Sequence, residues 1–297
     1  MQAIRTAGRL LSAAIMAALL ANLGAAAEPA GHPRLIAPPK LVEAAMPQIT
    51  IPPGLATKVG HQVWLNETGG NRDMITAWNE AEDFASLGIG HFIWFPEGLK
   101  TRFKESFPAM MAYLRERGAK PPAWLDHDRV PPCPWPTRTV FKREFNSHKT
   151  KGLRAYLHST VGLQAEYLAL RMQAALPKIL TALESDQERE HVRRQFNRVV
   201  AASSDLYPLI DYINFKGEGI AASETYPNKK TGVPEGWGLK HVLLHMQGDT
   251  ADREAVLGSF ADAARFVLLR RIANNPPNKR WQAGWMARVE TYRRPLK

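Results

Sequence analysis

Residues 53–70 read PGLATKVGHQVWLNETGG and residues 82–94 read EDFASLGIGHFIW. Leu55, Val59 and Val63 recur at helical spacing, and Gly69-Gly70 is a natural C-terminal stop, so the first stretch predicts a helix over 53–67. Glu67 falls four residues after Val63, on the apolar stripe and at the C-terminal end of that helix. Desolvation and the negative end of the helix dipole both disfavour a carboxylate there, so the expectation is a raised pKa, suited to a general acid. From 71 to 94 the pattern changes to turn residues, short apolar runs and the alternation Gly88-Ile89-Gly90, which predicts a small irregular β-hairpin region.

Working outward, helical patterning returns at 107–117. The proline-dense stretch 121–136, with Trp124, Cys133 and Trp135, predicts a loop draped over the surface, because proline removes backbone donors and fixes φ. Helices are expected over 150–184, 187–202, 205–216, 237–247, 252–273 and 281–293. The chain reads as mainly α, an α+β arrangement with one small β element near the front, and no internal repeat or low-complexity tract is found.

The first 27 residues have the layout of a secretory signal: Arg5 and Arg9, an apolar run from Leu10 to Leu23, and Ala25-Ala26-Ala27 before the expected cleavage. The apolar run is too short to span a bilayer, which needs about 20 residues. Residues 28–53, rich in proline and alanine, read as an extended lead-in. The expected destination is therefore the periplasm or the exterior, with no stable membrane span after cleavage. One cysteine excludes an internal disulfide, so the apolar core must hold the fold. The net charge of +11 favours polyanions, but no nucleic-acid-binding signature accompanies it.

The segments Asn66-Glu67-Thr68-Gly69-Gly70 and Glu82 to His91 together resemble the phage-type lysozymes, in which a helix ends on a catalytic glutamate and a β-hairpin runs into Gly-Ile-Gly-His. Ser86 stands where that family has threonine, and the longer interval after Glu67 implies an enlarged hairpin. Downstream, Tyr212-Ile213-Asn214-Phe215-Lys216-Gly217-Glu218-Gly219, then Trp237-Gly238-Leu239, and the closing basic, aromatic stretch with Trp285, Arg288 and Tyr292 resemble later parts of the same family in the same order. The resemblance implies a single lysozyme-like domain over 54–297, interrupted by an insertion over 99–204. It implies a cofactor-free peptidoglycan glycosidase that acts on glycan strands, with Glu67 as acid, Asp83 or Glu82 as the second carboxylate, and Ser86 placing the water. Whether Glu82 or Asp83 faces the cleft stays open.

Gly88 and Gly90 let backbone pass close to a sugar or simply make a tight turn. His91 reads first as a structural histidine beside the substrate, and Asn214, Glu218, Trp94 and Trp237 are candidate cleft residues. A lytic transglycosylase, which manages with one glutamate, and a wall-binding protein of the same shape without turnover are the alternatives. Other constellations are weaker. His241 and His245 share a helix face at i, i+4 but lack the glutamate of a metalloprotease and a third ligand, so no metal is assigned. Asp126-His127-Asp128 reads as a turn and Cys133 as a bystander.

Overall fold

The computed structural model describes residues 51–101 and 103–296. The expected signal segment lies outside them, as does nearly all of the proline- and alanine-rich lead-in. Helix α1 (Pro53–Thr68) begins on a proline, whose missing N–H is no loss in a first turn, and ends at Gly69, where φ is 62°. The Gly69 N–H donates to the Leu65 carbonyl at 2.9 Å, closing the last turn in the left-handed manner that glycine permits. Ala56, Val59, Gly60 and Val63 are buried, and Glu67 and Thr68 are buried with them.

Three short antiparallel strands follow: β1 (Thr76–Ala77), β2 (Ala85–Leu87) and β3 (Phe92–Trp94), in the order β1-β2-β3. Thr76 faces Leu87 across the first pair, and Leu87 faces Phe92 across the second. Next come α2 (Phe107–Glu116), α3 (Arg138–Arg143), α4 (His148–Ser159), α5 (Val161–Thr181), α6 (Asp186–Ala202) and α7 (Tyr207–Lys216). A second hairpin of β4 (Thr225–Pro227) and β5 (Pro234–Gly236) precedes α8 (Leu239–His245), α9 (Arg253–Asn274) and α10 (Gln282–Glu290). The protein is mainly helical with a small antiparallel sheet, as the sequence predicts. Among the described residues no helix is long and apolar enough to cross a membrane.

The helix expected over 150–184 is two helices. The Thr160 hydroxyl donates to the Tyr156 carbonyl at 2.9 Å and competes with the backbone ladder at the joint. The break lets α5 lie against α1 over two glycines. A Cβ on Gly60 would stand 2.6 Å from Val161 Cγ1 and 2.7 Å from the Val161 carbonyl oxygen, and one on Gly162 would stand 2.9 Å from Thr57 Oγ1. The close approach is therefore built into the sequence. Gly60→Ala is expected to destabilise the protein by about 1–3 kcal/mol through overpacking against backbone, measurable as a lower urea midpoint. An unchanged midpoint would show that the helices have room to separate.

The proline-rich stretch 121–136 runs along the surface, with 126–129 exposed, but it turns several side chains inward. Leu125, Cys133 and Trp135 are buried. The Trp94 indole N–H donates to the Pro131 carbonyl at 2.9 Å, and the Cys133 N–H donates to the Phe95 carbonyl at 2.8 Å. Apolar rings outweigh the poor pairing of the proline backbone here. Trp94 stacks on Phe107 with centroids 4.6 Å apart and meets Trp135 edge-on. One apolar core joins this cluster to α1, α5 and the C-terminal helices.

Candidate active site where helix α1 meets the small sheet

Glu67 lies in the last turn of α1 and is only 2% exposed. A buried carboxylate survives when it is paired and hydrogen-bonded. Arg288, on α10, donates through Nη2 to Glu67 Oε1 at 2.8 Å. The same guanidinium grips Asp211 of α7, Nε to Oδ2 at 2.7 Å and Nη2 to Oδ1 at 2.8 Å. Asp211 also accepts from the Tyr292 hydroxyl at 2.5 Å and from Asn66 Nδ2 at 3.1 Å. The Asn214 amide donates to Glu67 Oε1 at 3.3 Å, and His91 Nδ1 lies 3.7 Å from Glu67 Oε2.

These charges reverse the expected pKa of Glu67. Burial pushes its carboxyl up, but the Arg288 guanidinium, with His91 and Lys216, outweighs that cost and holds it below the usual glutamate range. Desolvation and the helix dipole alone would raise this pKa, but a cation on a helix more than two hundred residues away outweighs them.

Glu82 experiences the opposite balance. It precedes β2 and is 6% exposed. Burial pushes its carboxyl up, and hydrogen bonds from Asn79 and Ser86 only partly offset this, so the net shift is upward. Asn79 Nδ2 donates to Oε1 at 2.6 Å and Ser86 Oγ donates to Oε2 at 3.0 Å. The Trp78 indole N–H holds the Glu82 backbone carbonyl at 2.7 Å. Asp83 is exposed. Of the two neighbours it is therefore Glu82 that faces inward, with Ser86 spent on orienting it rather than turned toward a water. His91 lies 3.7 Å from Glu67, and its charge also acts on Glu82, against the effect of burial.

The turn between β2 and β3 is held from below by Gln164 of α5. Its Oε1 accepts from the Ile89 N–H at 3.0 Å, and its Nε2 donates to the Leu157 carbonyl at 2.7 Å. Gly88 holds φ at +71°, and a Cβ there would run into Gln164 Oε1, so the turn itself calls for a glycine at this position. A Cβ on Gly90 would meet only the tips of the Phe92, Leu168 and Asn214 side chains. His91 closes this turn at φ 48°.

Other expected cleft residues lie elsewhere. Trp94 is fully buried in the aromatic cluster behind β3. Trp237 is buried between Tyr226, at 4.6 Å, and the Arg271 guanidinium, at 3.8 Å. Glu218 pairs with Lys178 at 2.7 Å and, with Arg171 and Ile220, lines a separate cavity of about 240 Å³. Two larger surface clefts, of about 510 and 540 Å³, are lined by the Phe95–Leu99 and Pro131 region and by the His245 and Asp262 region. Neither Glu67 nor Glu82 lines any of these three.

His241 is largely buried, which pushes its imidazole down to about 4, and its ring fills the space beside Gly236. His245 instead stacks on Phe266 at 3.8 Å. Asp126, His127 and Asp128 form an exposed turn, and burial pushes the Cys133 thiol up to about 12. Among the described residues no group of three or more His, Cys, Asp or Glu is placed to hold a metal ion.

The sequence reading missed Arg288, Asp211, Asn66 and Gln164 as parts of the site. Asp211 carries a usable signal, since it is a lone carboxylate inside the apolar run Leu209-Ile210-Asp211-Tyr212-Ile213, and such a group needs a buried cation. Comparison of the chain with known protein families, with curated proteins and with solved structures finds no match in any of the three.

Proposed function

We propose that this protein hydrolyses glycosidic bonds of peptidoglycan glycan strands, with Glu82 as proton donor and Glu67 as the ionised carboxylate that stabilises positive charge developing on the sugar. The observation that carries the reading is a pair of buried carboxyls whose surroundings push their pKa values apart, one up and one down. Glycosidases use such a pair, because the leaving oxygen needs a proton while the ring carbon becomes cationic. The resemblance of 66–70 and 82–91 to phage-type lysozymes points to the same chemistry, with the acid and carboxylate roles exchanged. A signal-like N-terminus and a net charge of +11 suit an exported protein that meets an anionic wall polymer.

Glu67 and Glu82 are 2% and 6% exposed, so little of either carboxyl is open to a sugar in this structure. That burial, together with the Arg288–Glu67 ion pair, favours a second reading: a wall-binding protein of this shape without turnover. Purified sacculi separate the two. The hydrolase releases soluble fragments with new reducing ends, and Glu67→Gln and Glu82→Gln each abolish the release. Binding to sacculi with no fragments from wild type supports the second reading, and anhydro-sugar termini would mark a transglycosylase instead.

A further inference from the structure

His91 lies against Glu67 and takes no part in the chemistry proposed above. Its side chain is 17% exposed and its Nδ1 faces Glu67 Oε2 at 3.7 Å. Its Nε2 is buried and has no hydrogen-bond partner among the described residues. A buried polar atom without a partner is uncommon in a folded protein and calls for a reason. Backbone strain adds to the cost, since His91 holds φ 48° between β2 and β3. The charged groups around the ring are Glu67 of α1, Glu82 before β2, and, beyond Glu67, Arg288 of α10 and Lys216 of α7.

We propose that His91 is the proton acceptor of this site: ionised Glu67, at ion-pair distance from Nδ1, favours the proton on that nitrogen and leaves Nε2 to meet the attacking water. The arrangement follows the general logic by which a carboxylate fixes a histidine tautomer and stabilises the imidazolium that forms. Asp211 and Arg288 extend the chain by fixing Glu67 itself. In the reaction, the glycosidic C–O bond breaks and Glu82 gives its proton to the departing oxygen. The attacking water forms the new C–O bond and passes its proton to Nε2. The imidazolium then returns that proton through solvent to Glu82, which restores both groups.

This inference rests on the glycosidase reading, so its test has one arm that does not need turnover. Asparagine tolerates positive φ, which makes His91→Asn the variant most able to keep the turn. The expected result is a kcat lower by about 10²-fold with KM little changed, and partial recovery with added imidazole. In the second arm, nitrogen-15 NMR of the wild type at alkaline pH should show His91 as the Nδ1–H tautomer, and Glu67→Gln should change its tautomer ratio. Full activity in His91→Asn overturns the inference while leaving the glycosidase reading standing. A wild-type His91 held as the Nε2–H tautomer overturns it whether or not any glycan is cleaved.

Discussion

Arg288→Met is expected to destabilise the protein by about 3–5 kcal/mol near neutral pH, the usual cost of removing one partner from a buried ion pair. Arg288 neutralises two buried carboxylates at once, Glu67 and Asp211, and both would be left uncompensated. Methionine keeps much of the arginine volume, so the loss reports charge rather than a cavity. The effect should depend on pH in a definite direction. In the wild type Glu67 has a folded pKa below its unfolded value, so its contribution is present above the unfolded pKa and fades as acid protonates the folded carboxyl. In Arg288→Met burial acts without that opposing cation, so the Glu67 pKa rises. The gap in stability between variant and wild type therefore narrows toward low pH. Urea unfolding across pH 4–8 measures it, and a loss under about 1 kcal/mol, or one constant with pH, would show that water reaches the network and screens it.

The second large effect is on turnover. Glu82→Gln is expected to lower kcat on glycan strands by about 10²- to 10⁴-fold, the range attributed to a positioned acid. In the amide the remaining oxygen can still accept from Asn79, and the new NH2 can donate to the Ser86 hydroxyl oxygen. Stability should move the other way with pH from that of Arg288→Met. A folded pKa raised above the unfolded one stabilises at pH below the unfolded value and loses that contribution as pH rises through the folded one. Glu82→Gln should thus fold at least as well as the wild type in mildly alkaline buffer, so lost activity there reports chemistry. Asp83→Asn, at an exposed neighbour, should leave kcat within about twofold.

Local signals carried much of the fold. The glycine pair after Thr68 stops α1, and the turn residues of 71–94 give way to the small sheet, because both depend on near neighbours in the chain. The break at Thr160 was hidden because the residues on either side keep helical periodicity, and a hydroxyl sharing the Tyr156 carbonyl with the backbone leaves no mark on that pattern. The burial of Trp135 and Trp94 was hidden for another reason. Proline density forecasts irregular backbone correctly but says nothing about which way the rings of that backbone turn.

The site divides along the same line. Glu67 and the 82–91 segment stand out from local pattern, and the choice of Glu82 over Asp83 needed the register that turns one inward. The charge state of Glu67 was beyond local reading. It is set by Arg288, which meets it only once the C-terminal helix has packed back against α1.

The two buried glutamates Glu67 and Glu82 carry opposite charge tendencies. Carbon-13 NMR titration of the glutamate side-chain carboxyls tests this directly, with the two resonances assigned by Glu67→Gln and Glu82→Gln. Glu67 should titrate below the usual glutamate value and Glu82 above it. A Glu67 midpoint above that of Glu82 would contradict the account and return the acid to α1.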